Sequence, residues 1–112
     1  MYVTITSITL RGPMQFFRLA SMALKITQQL SKTSVVKYKK SGFWTTHYTM
    51  TLWPTLEDLK QFAREGAHLE AMKAAKGIAY EVRTLTMPAT ELPNWKDAKR
   101  LLQADGKVLQ WN

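Results

Sequence analysis

From Tyr2 to Leu10 the chain reads Y-V-T-I-T-S-I-T-L, alternating apolar or β-branched residues with hydroxyl residues. That two-residue period predicts a strand with two distinct faces. Arg11-Gly12-Pro13 ends the pattern, and Pro13 suits the first turn of a helix because the amide it lacks would have no partner there. From Met14 to Leu30 the period lengthens: Phe16, Ala20, Ala23, Thr27 and Leu30, with Phe17 and Leu24, recur at helical spacing, while Arg18, Lys25 and Gln28 mark a polar side. Leu19, Met22 and Ile26 widen the apolar arc beyond one stripe. A wide arc implies deeper burial, a ligand wall or a partner chain.

Ser34 to Lys39 reads as a second strand, joined by a turn at Ser41-Gly42 to a third from Phe43 to Trp53. On this third strand Trp44, Tyr48, Met50 and Leu52 are expected on one face and Phe43, His47 and Trp53 on the other. A strand loaded on both faces must be covered on both. Helices of the same chain account for one face, so the second calls for another sheet, most simply that of an identical subunit. Thr55 with Asp58 has the form of an N-terminal capping box, and Leu56, Leu59, Phe62 and Ala63 supply a buried helix face. Gly66 interrupts it, Leu69, Met72 and Ala75 resume it, and Gly77 is expected to end it. Ile78 to Met87 gives a fourth strand. Beyond Pro88 and Pro93 come a short helix from Trp95 to Gln103, an Asp105-Gly106 turn and a brief terminal segment, Val108 to Trp111. The order β-α-β-β-α-β is the ferredoxin-like plan: an α+β domain with an antiparallel sheet and an extra C-terminal helix. A single domain over 1–112 follows, with a core at 2–88 and an extension at 89–112.

Composition fits one domain, since 112 residues that are 46% hydrophobic suffice for one compact core and not for two. Cysteine is absent, which removes disulfides, thiolate metal sites and cysteine nucleophiles. The N-terminus lacks the pattern of a signal peptide and no segment is long and apolar enough to span a bilayer, so a cytoplasmic protein is the default expectation. A net charge of +8 invites a nucleic-acid reading. Lys37, Lys39 and Lys40 nevertheless crowd a hairpin, where lysines discourage edge pairing, and most other cations lie on helices beside acids or near helix ends. The charge reads as solvated surface, with no specific nucleic-acid partner.

Catalytic templates are few. There is no G-x-S-x-G elbow, no phosphate-binding loop, no dinucleotide glycine fingerprint and no H-E-x-x-H pattern, and two histidines far apart in sequence do not suggest a metal site. His68, just after the Gly66 break, is the sharpest candidate: an imidazole projecting into a cavity could move protons near neutral pH or bind haem iron axially, and the structural alternative is a packing histidine. His47, within a Thr-rich strand, has the weaker claim. Trp53 could set its ring against a ligand and its indole N–H on a polar group, or plug the open edge of the fold.

The series Trp53, Glu57, Phe62, Gly66, His68, followed by Glu81-Val82-Arg83-Thr84 and the later P-N-W-K-D-A-K-R-L-L, resembles the dimeric α/β-barrel monooxygenase superfamily, in particular the antibiotic-biosynthesis and spheroidene monooxygenase-like branches. The resemblance covers about Tyr2 to Met87. It implies a homodimer built as a dimeric α/β barrel, and a monooxygenase-like protein that binds an apolar aromatic, polyene or haem-like ligand between sheet and helices. His68 and Trp53 would be the catalytic residues, and His68 the cofactor ligand if haem is used. Trp53, Met72, Tyr48 and Phe16 would contact substrate. The haem-degrading branch carries an Asn on the first strand where this chain has Thr4, Thr6 and Ser7, which counts against haem oxygenation; the resemblance leaves the cofactor unknown, none or haem. A non-catalytic small-ligand or stress protein on the same fold is the alternative. An RNA-binding module comes third: K-K-S-G-F-W-T-T-H-Y places Trp44 and Thr45 where an RNA-recognition strand needs a small residue and a stacking aromatic.

Overall fold

A computed structural model describes residues 1–111, with the side chains of Phe43 and Ala67 excepted. Strand β1 (Tyr2–Leu10) lies at the centre of a five-stranded sheet. It is flanked by β3 (Thr46–Trp53) and β4 (Ala79–Pro88), while β2 (Lys37–Phe43) and β5 (Lys107–Gln110) form the edges in the order β2-β3-β1-β4-β5. Every pairing is antiparallel. Helix α1 (Phe16–Leu30), preceded by a 3-10 turn at Pro13–Gln15, links β1 to β2. Helices α2 (Leu56–Ala63) and α3 (Gly66–Ile78) link β3 to β4, and α4 (Trp95–Asp105) precedes β5. This is the ferredoxin-like order with one helix and one strand added.

The alternation along β1 sorts the sheet into two faces. On one, Val3 and Ile5 meet Met50 and Leu52, with Leu85 and Met87 beside them, and α4 lays Ala98 and Leu102 across this patch. Val3, Ile5, Met50, Leu52, Ala98 and Leu102 are all but sealed from solvent. Burying a side chain the size of Leu102 is worth about 2 kcal/mol, so α4 is held by packing and not merely tethered. The chain's own helix α4 covers this patch, on the face that the strand pattern alone assigns to another sheet. The reason is that Asn94 caps α4 by accepting the Asp97 N–H at 2.8 Å, starting an amphipathic helix at the rim of that face.

The opposite face carries threonine. Thr4 stands between Thr51 and Thr86, and Thr6 between Thr49 and Thr84, so hydroxyls run in rows across three strands. The hydroxyls of Thr4 and Thr86 lie 3.0 Å apart and those of Thr6 and Thr84 3.4 Å apart. Apolar packing sits at the two ends of the rows. Leu30, Trp53, Leu59 and Phe62 form one cluster, and Leu10, Ile78 and Ala79 with Leu19 and Met22 form the other. The wide apolar arc of α1 thus serves several neighbours: Leu19 and Met22 reach one cluster, Ile26 and Leu30 the other, and the remaining positions are left for a cleft.

The hairpin differs from the expected one. The second strand continues through Ser41 and Gly42, the turn falls on Trp44 and Thr45, and Phe43 pairs with Thr46. Trp44 takes the left-handed φ of 60°, whereas Gly42 does not. Gly42 is needed for space, because it pairs with His47 and a Cβ there would overlap the His47 ring nitrogen Nδ1. A glycine inside a strand marks such a close approach as readily as a turn. The direction expected for the Phe43 side chain lies outside the described residues; Trp44 belongs to the turn and to neither face. At the other glycine positions, Gly66 takes φ 59° at the α2–α3 break as expected, and α3 runs on through Gly77 to Ile78. Thr55 caps α2 by accepting the Asp58 N–H at 3.1 Å, but the Asp58 carboxylate accepts the Ser34 hydroxyl at 2.9 Å, so it is turned to the β2 approach.

Candidate functional site

A cleft of about 640 Å³ opens between α1 and the threonine face. Thr6, Ile8, His47 and Thr49 form its floor, and Phe16, Leu19, Ala20, Ala23 and Leu24 form its roof. Lys40, Ser41, Gly42 and Thr27 close the side toward β2. Its size falls in the ordinary range for small-molecule pockets. The small residues Ala20 and Ala23, one helical turn apart, make the room, and Thr6, His47 and Thr49 make the floor polar beside Ile8. Leu24 is 61% exposed and Phe17, beside the rim, 68% exposed, so the cleft is open along α1.

His47 is held in the wall. Its Nε2 lies 3.0 Å from the carbonyl oxygen of Trp44, so Nε2 carries the proton and donates it. In the neutral ring this leaves Nδ1 as the basic nitrogen, seated over Gly42. The ring of Phe16 stacks at 5.4 Å from the imidazole, tilted by 37°. Lys40 reaches the Thr27 hydroxyl at 3.5 Å across the mouth.

The other histidine belongs to a different cluster. Phe62 stands between Trp53, at a ring distance of 5.1 Å, and His68, at 4.9 Å. The indole N–H of Trp53 is sealed from solvent and has no hydrogen-bond partner among the described residues. His68 Nδ1 donates to the Ala63 carbonyl at 3.3 Å, which leaves Nε2 unprotonated in the neutral ring. Burial lowers the His68 pKa below the ordinary 6.5, opposed by the bond to Ala63, so the ring is neutral at physiological pH. The break that carries His68 is clamped from α1: Gln29 Oε1 accepts the His68 N–H at 2.9 Å and Gln29 Nε2 donates to the Glu65 carbonyl at 2.9 Å.

The residues singled out from sequence are therefore divided. Phe16 lines the cleft with His47. Trp53 and His68 meet on Phe62 and do not line the cleft; Trp53 borders a smaller polar recess of about 300 Å³ with Lys32, Ser34, Asp58 and Gln61. Met72 lies one turn beyond His68 on α3, is 56% exposed and lines neither cavity. Tyr48 borders the cleft between His47 and Thr49, but its ring packs on the other face of the sheet, 6.3 Å from the Trp95 ring, with Lys99 Nζ 4.8 Å above it. What the sequence leaves in the background is His47, whose signal is Gly42 directly before the turn, together with Lys40 and the Ala20–Ala23 gap. Among the described residues no cluster of His, Asp or Glu could hold a metal ion, and no helix is long and apolar enough to cross a membrane.

No family model and no curated protein matches this chain. Solved structures do. A candidate antibiotic biosynthesis monooxygenase from Deinococcus radiodurans is 14% identical, superposes with a TM-score of 0.72, and the match covers 84% of this chain and 97% of that one. The chain has the dimeric α/β-barrel fold of the antibiotic-biosynthesis monooxygenases. SnoaB, a cofactor-independent oxygenase from Streptomyces nogalater, shares that monooxygenase fold at 14% identity and a TM-score of 0.61, over 83% of this chain and 97% of its own. A conserved protein from Methanosarcina mazei Go1 does so at 10% identity and a TM-score of 0.71, over 80% and 92%. At such identities the likeness carries the monooxygenase fold and not the role of any residue.

Proposed function

We propose that this chain is a cofactor-independent oxygenase of the antibiotic-biosynthesis monooxygenase type. It would hold an electron-rich aromatic molecule in the cleft under α1. The observation that carries the reading is His47: an imidazole tethered through Nε2, leaving Nδ1 unprotonated in the neutral ring, that lines an aromatic-walled cleft on a fold shared with a cofactor-independent oxygenase. Without a cofactor the electrons must come from the substrate. An acidic methylene flanked by aromatic rings meets that need, since removal of a proton gives a carbanion that reduces dioxygen. In balance, one methylene and one dioxygen become one ketone and one water: the carbon gains one oxygen atom and loses both hydrogens, and the second oxygen atom leaves with them. The protein's part is then to take the proton at His47 and to stack the ring system on Phe16.

The haem version is not supported by the residues present. His68 has a free Nε2, but it walls neither cavity, and His47 has its Nε2 committed to a carbonyl. The non-catalytic alternative draws on a specific observation, the opening along Leu24 and Phe17, which excludes water poorly. The reading includes a homodimer, supported by the fold; contact between sheets must accommodate α4, which already covers Val3, Ile5, Met50 and Leu52.

The test uses anthrone, an aromatic with an acidic methylene, and purified protein in chelator. Oxygen uptake above the buffer rate, reduced by about a factor of 10² in His47→Ala and little changed in His68→Ala, is expected. Binding without uptake would leave the ligand-binding alternative, and a Soret shift with haemin that vanishes in His68→Ala would restore haem. Light scattering that returned a monomer at micromolar concentration would remove the dimer.

A further inference from the structure

The charges are not spread evenly along the chain. Every acidic residue lies at or beyond Glu57, whereas Arg11, Arg18, Lys25, Lys32, Lys37, Lys39 and Lys40 all precede it. The first half, from β1 through β3, is therefore purely cationic, and the second half is close to neutral. The fold turns this asymmetry into a local field, because every residue lining the large cleft falls between Thr6 and Thr49. The cleft thus has a cation at its mouth, hydroxyls on its floor, an apolar roof and, among the described residues, no carboxylate in its wall. The β2–β3 register assigns the lysines: Lys40 is opposite Thr49 on the cleft face, while Lys39 is opposite Met50 on the α4 face. Only Lys40 of that cluster is directed here, and among the described residues its Nζ is bound by nothing stronger than the Thr27 hydroxyl at 3.5 Å.

We infer that the cleft selects an amphipathic organic anion, a ring system carrying one carboxylate or an equivalent oxyanion. The rings lie under Phe16, Leu19 and Ala23, and the anion sits at Lys40 with the Thr27 hydroxyl beside it. A low-dielectric wall on one side and the absence of any competing acid strengthen the attraction of a single exposed lysine. The inference rests on the cleft being the ligand site of the proposed function, and names the class of molecule it accepts.

The probes are 2-naphthoate and its neutral isostere 2-naphthamide, titrated calorimetrically into the full-length protein at low and at physiological salt. Naphthoate is expected to bind about fivefold more tightly than the amide, a discrimination sized for an ion pair with a solvent-exposed lysine. Lys40→Met should erase that ratio by weakening naphthoate more than the amide, and Lys40→Arg should restore it. Ala20→Phe, which fills the exposed side of the roof, should expel both probes. Equal affinities for the two probes, or a ratio indifferent to Lys40→Met, overturn the anion inference while the pocket stands, provided Ala20→Phe still expels them. Absence of binding by either probe overturns the inference and the pocket reading together. A single-stranded oligonucleotide that binds at physiological salt and displaces naphthoate also overturns it, because the cationic half would then serve a phosphate backbone.

Discussion

Gln29 offers the sharpest test of how the α2–α3 break is held. Its side chain reaches from α1 to the junction, where Oε1 accepts the His68 N–H at 2.9 Å and Nε2 donates to the carbonyls of Glu65 at 2.9 Å and Phe62 at 3.4 Å. The His68 amide is one of the first N–H groups of α3, which Glu65 does not cap with its own side chain. Gln29 is therefore a cap supplied by a different helix. Two good bonds at about 1 kcal/mol each, with the 3.4 Å contact adding little, predict that Gln29→Ala lowers stability by about 2 kcal/mol. Gly66 sits under the same amide. Its φ of 59° would cost an alanine about 1–2 kcal/mol, and the added Cβ would meet the Gln29 amide atoms at 3.2–3.3 Å, adding about another 0.5–1 kcal/mol. Removing Gln29 removes that crowding, so Gly66→Ala should cost less in the Gln29→Ala background. Urea denaturation of the four proteins in the cycle measures the coupling. Amide exchange at His68 should accelerate in Gln29→Ala before the sheet is affected. A cost below about 0.5 kcal/mol for Gln29→Ala, or an identical cost of Gly66→Ala in both backgrounds, would refute the clamp.

Other outcomes follow from single contacts. Leu102→Ala should cost about 3 kcal/mol in chemical denaturation, because it leaves a cavity between α4 and the Val3–Ile5 patch. Gly42→Ala should displace His47, whose Cα would lie 2.9 Å from the new Cβ, weakening binding in the cleft and lowering the melting temperature. As pH falls, stability should decline in two windows. The first begins near 6.5, where the unfolded chain protonates His68 before the folded one does, and it should be absent in His68→Phe. The second lies below 4.5, where Glu81, held low by its bond from Gln110 and then by Arg83, loses those partners on protonation; Gln110→Ala should shrink it.

The parts of the fold legible in sequence are those whose period is unbroken. Alternation bounds Tyr2–Leu10 and assigns Tyr48-Met50-Leu52 and His47-Trp53 to opposed faces, and Thr55 marks the helix start at Leu56. What does not show depends on contacts between distant segments. Ser41-Gly42 has the composition of a turn, and only the imidazole of His47 across the hairpin explains why the glycine is inside the strand. The extension from 89 onward has a helical period but nothing in it names the sheet face it covers. The cleft is hidden for a related reason: it is made by what α1 does not fill, and Ala20 and Ala23 read as ordinary helix residues until the threonine floor is set beneath them. Trp53 and His68 stand out as rare residues near a helix break, yet sequence order suggests walls of one pocket because it does not show Phe62 standing between them.

Both histidines are tied by one nitrogen to a main-chain carbonyl, and what surrounds the other nitrogen separates their roles. His47 donates through Nε2 to Trp44, its Nδ1 lies over Gly42, and its ring lines the open cleft beside Phe16. His68 donates through Nδ1 to Ala63 and packs on Phe62, with burial as the dominant influence on its proton affinity. Loss of a packed, hydrogen-bonded ring costs about 2 kcal/mol or more, whereas a ring on the wall of an open cleft has fewer contacts to lose. His68→Ala should therefore lower stability more than His47→Ala does, by about 1 kcal/mol or more, while His47→Ala should impair ligand binding and anthrone oxidation more than His68→Ala does at a temperature where both are folded. Denaturant midpoints and probe titrations on the same two variants must rank the histidines in opposite orders. If both effects were larger for one histidine, binding and packing would share a single site, and the division of this face into a cleft at one end and an aromatic plug at the other would be wrong.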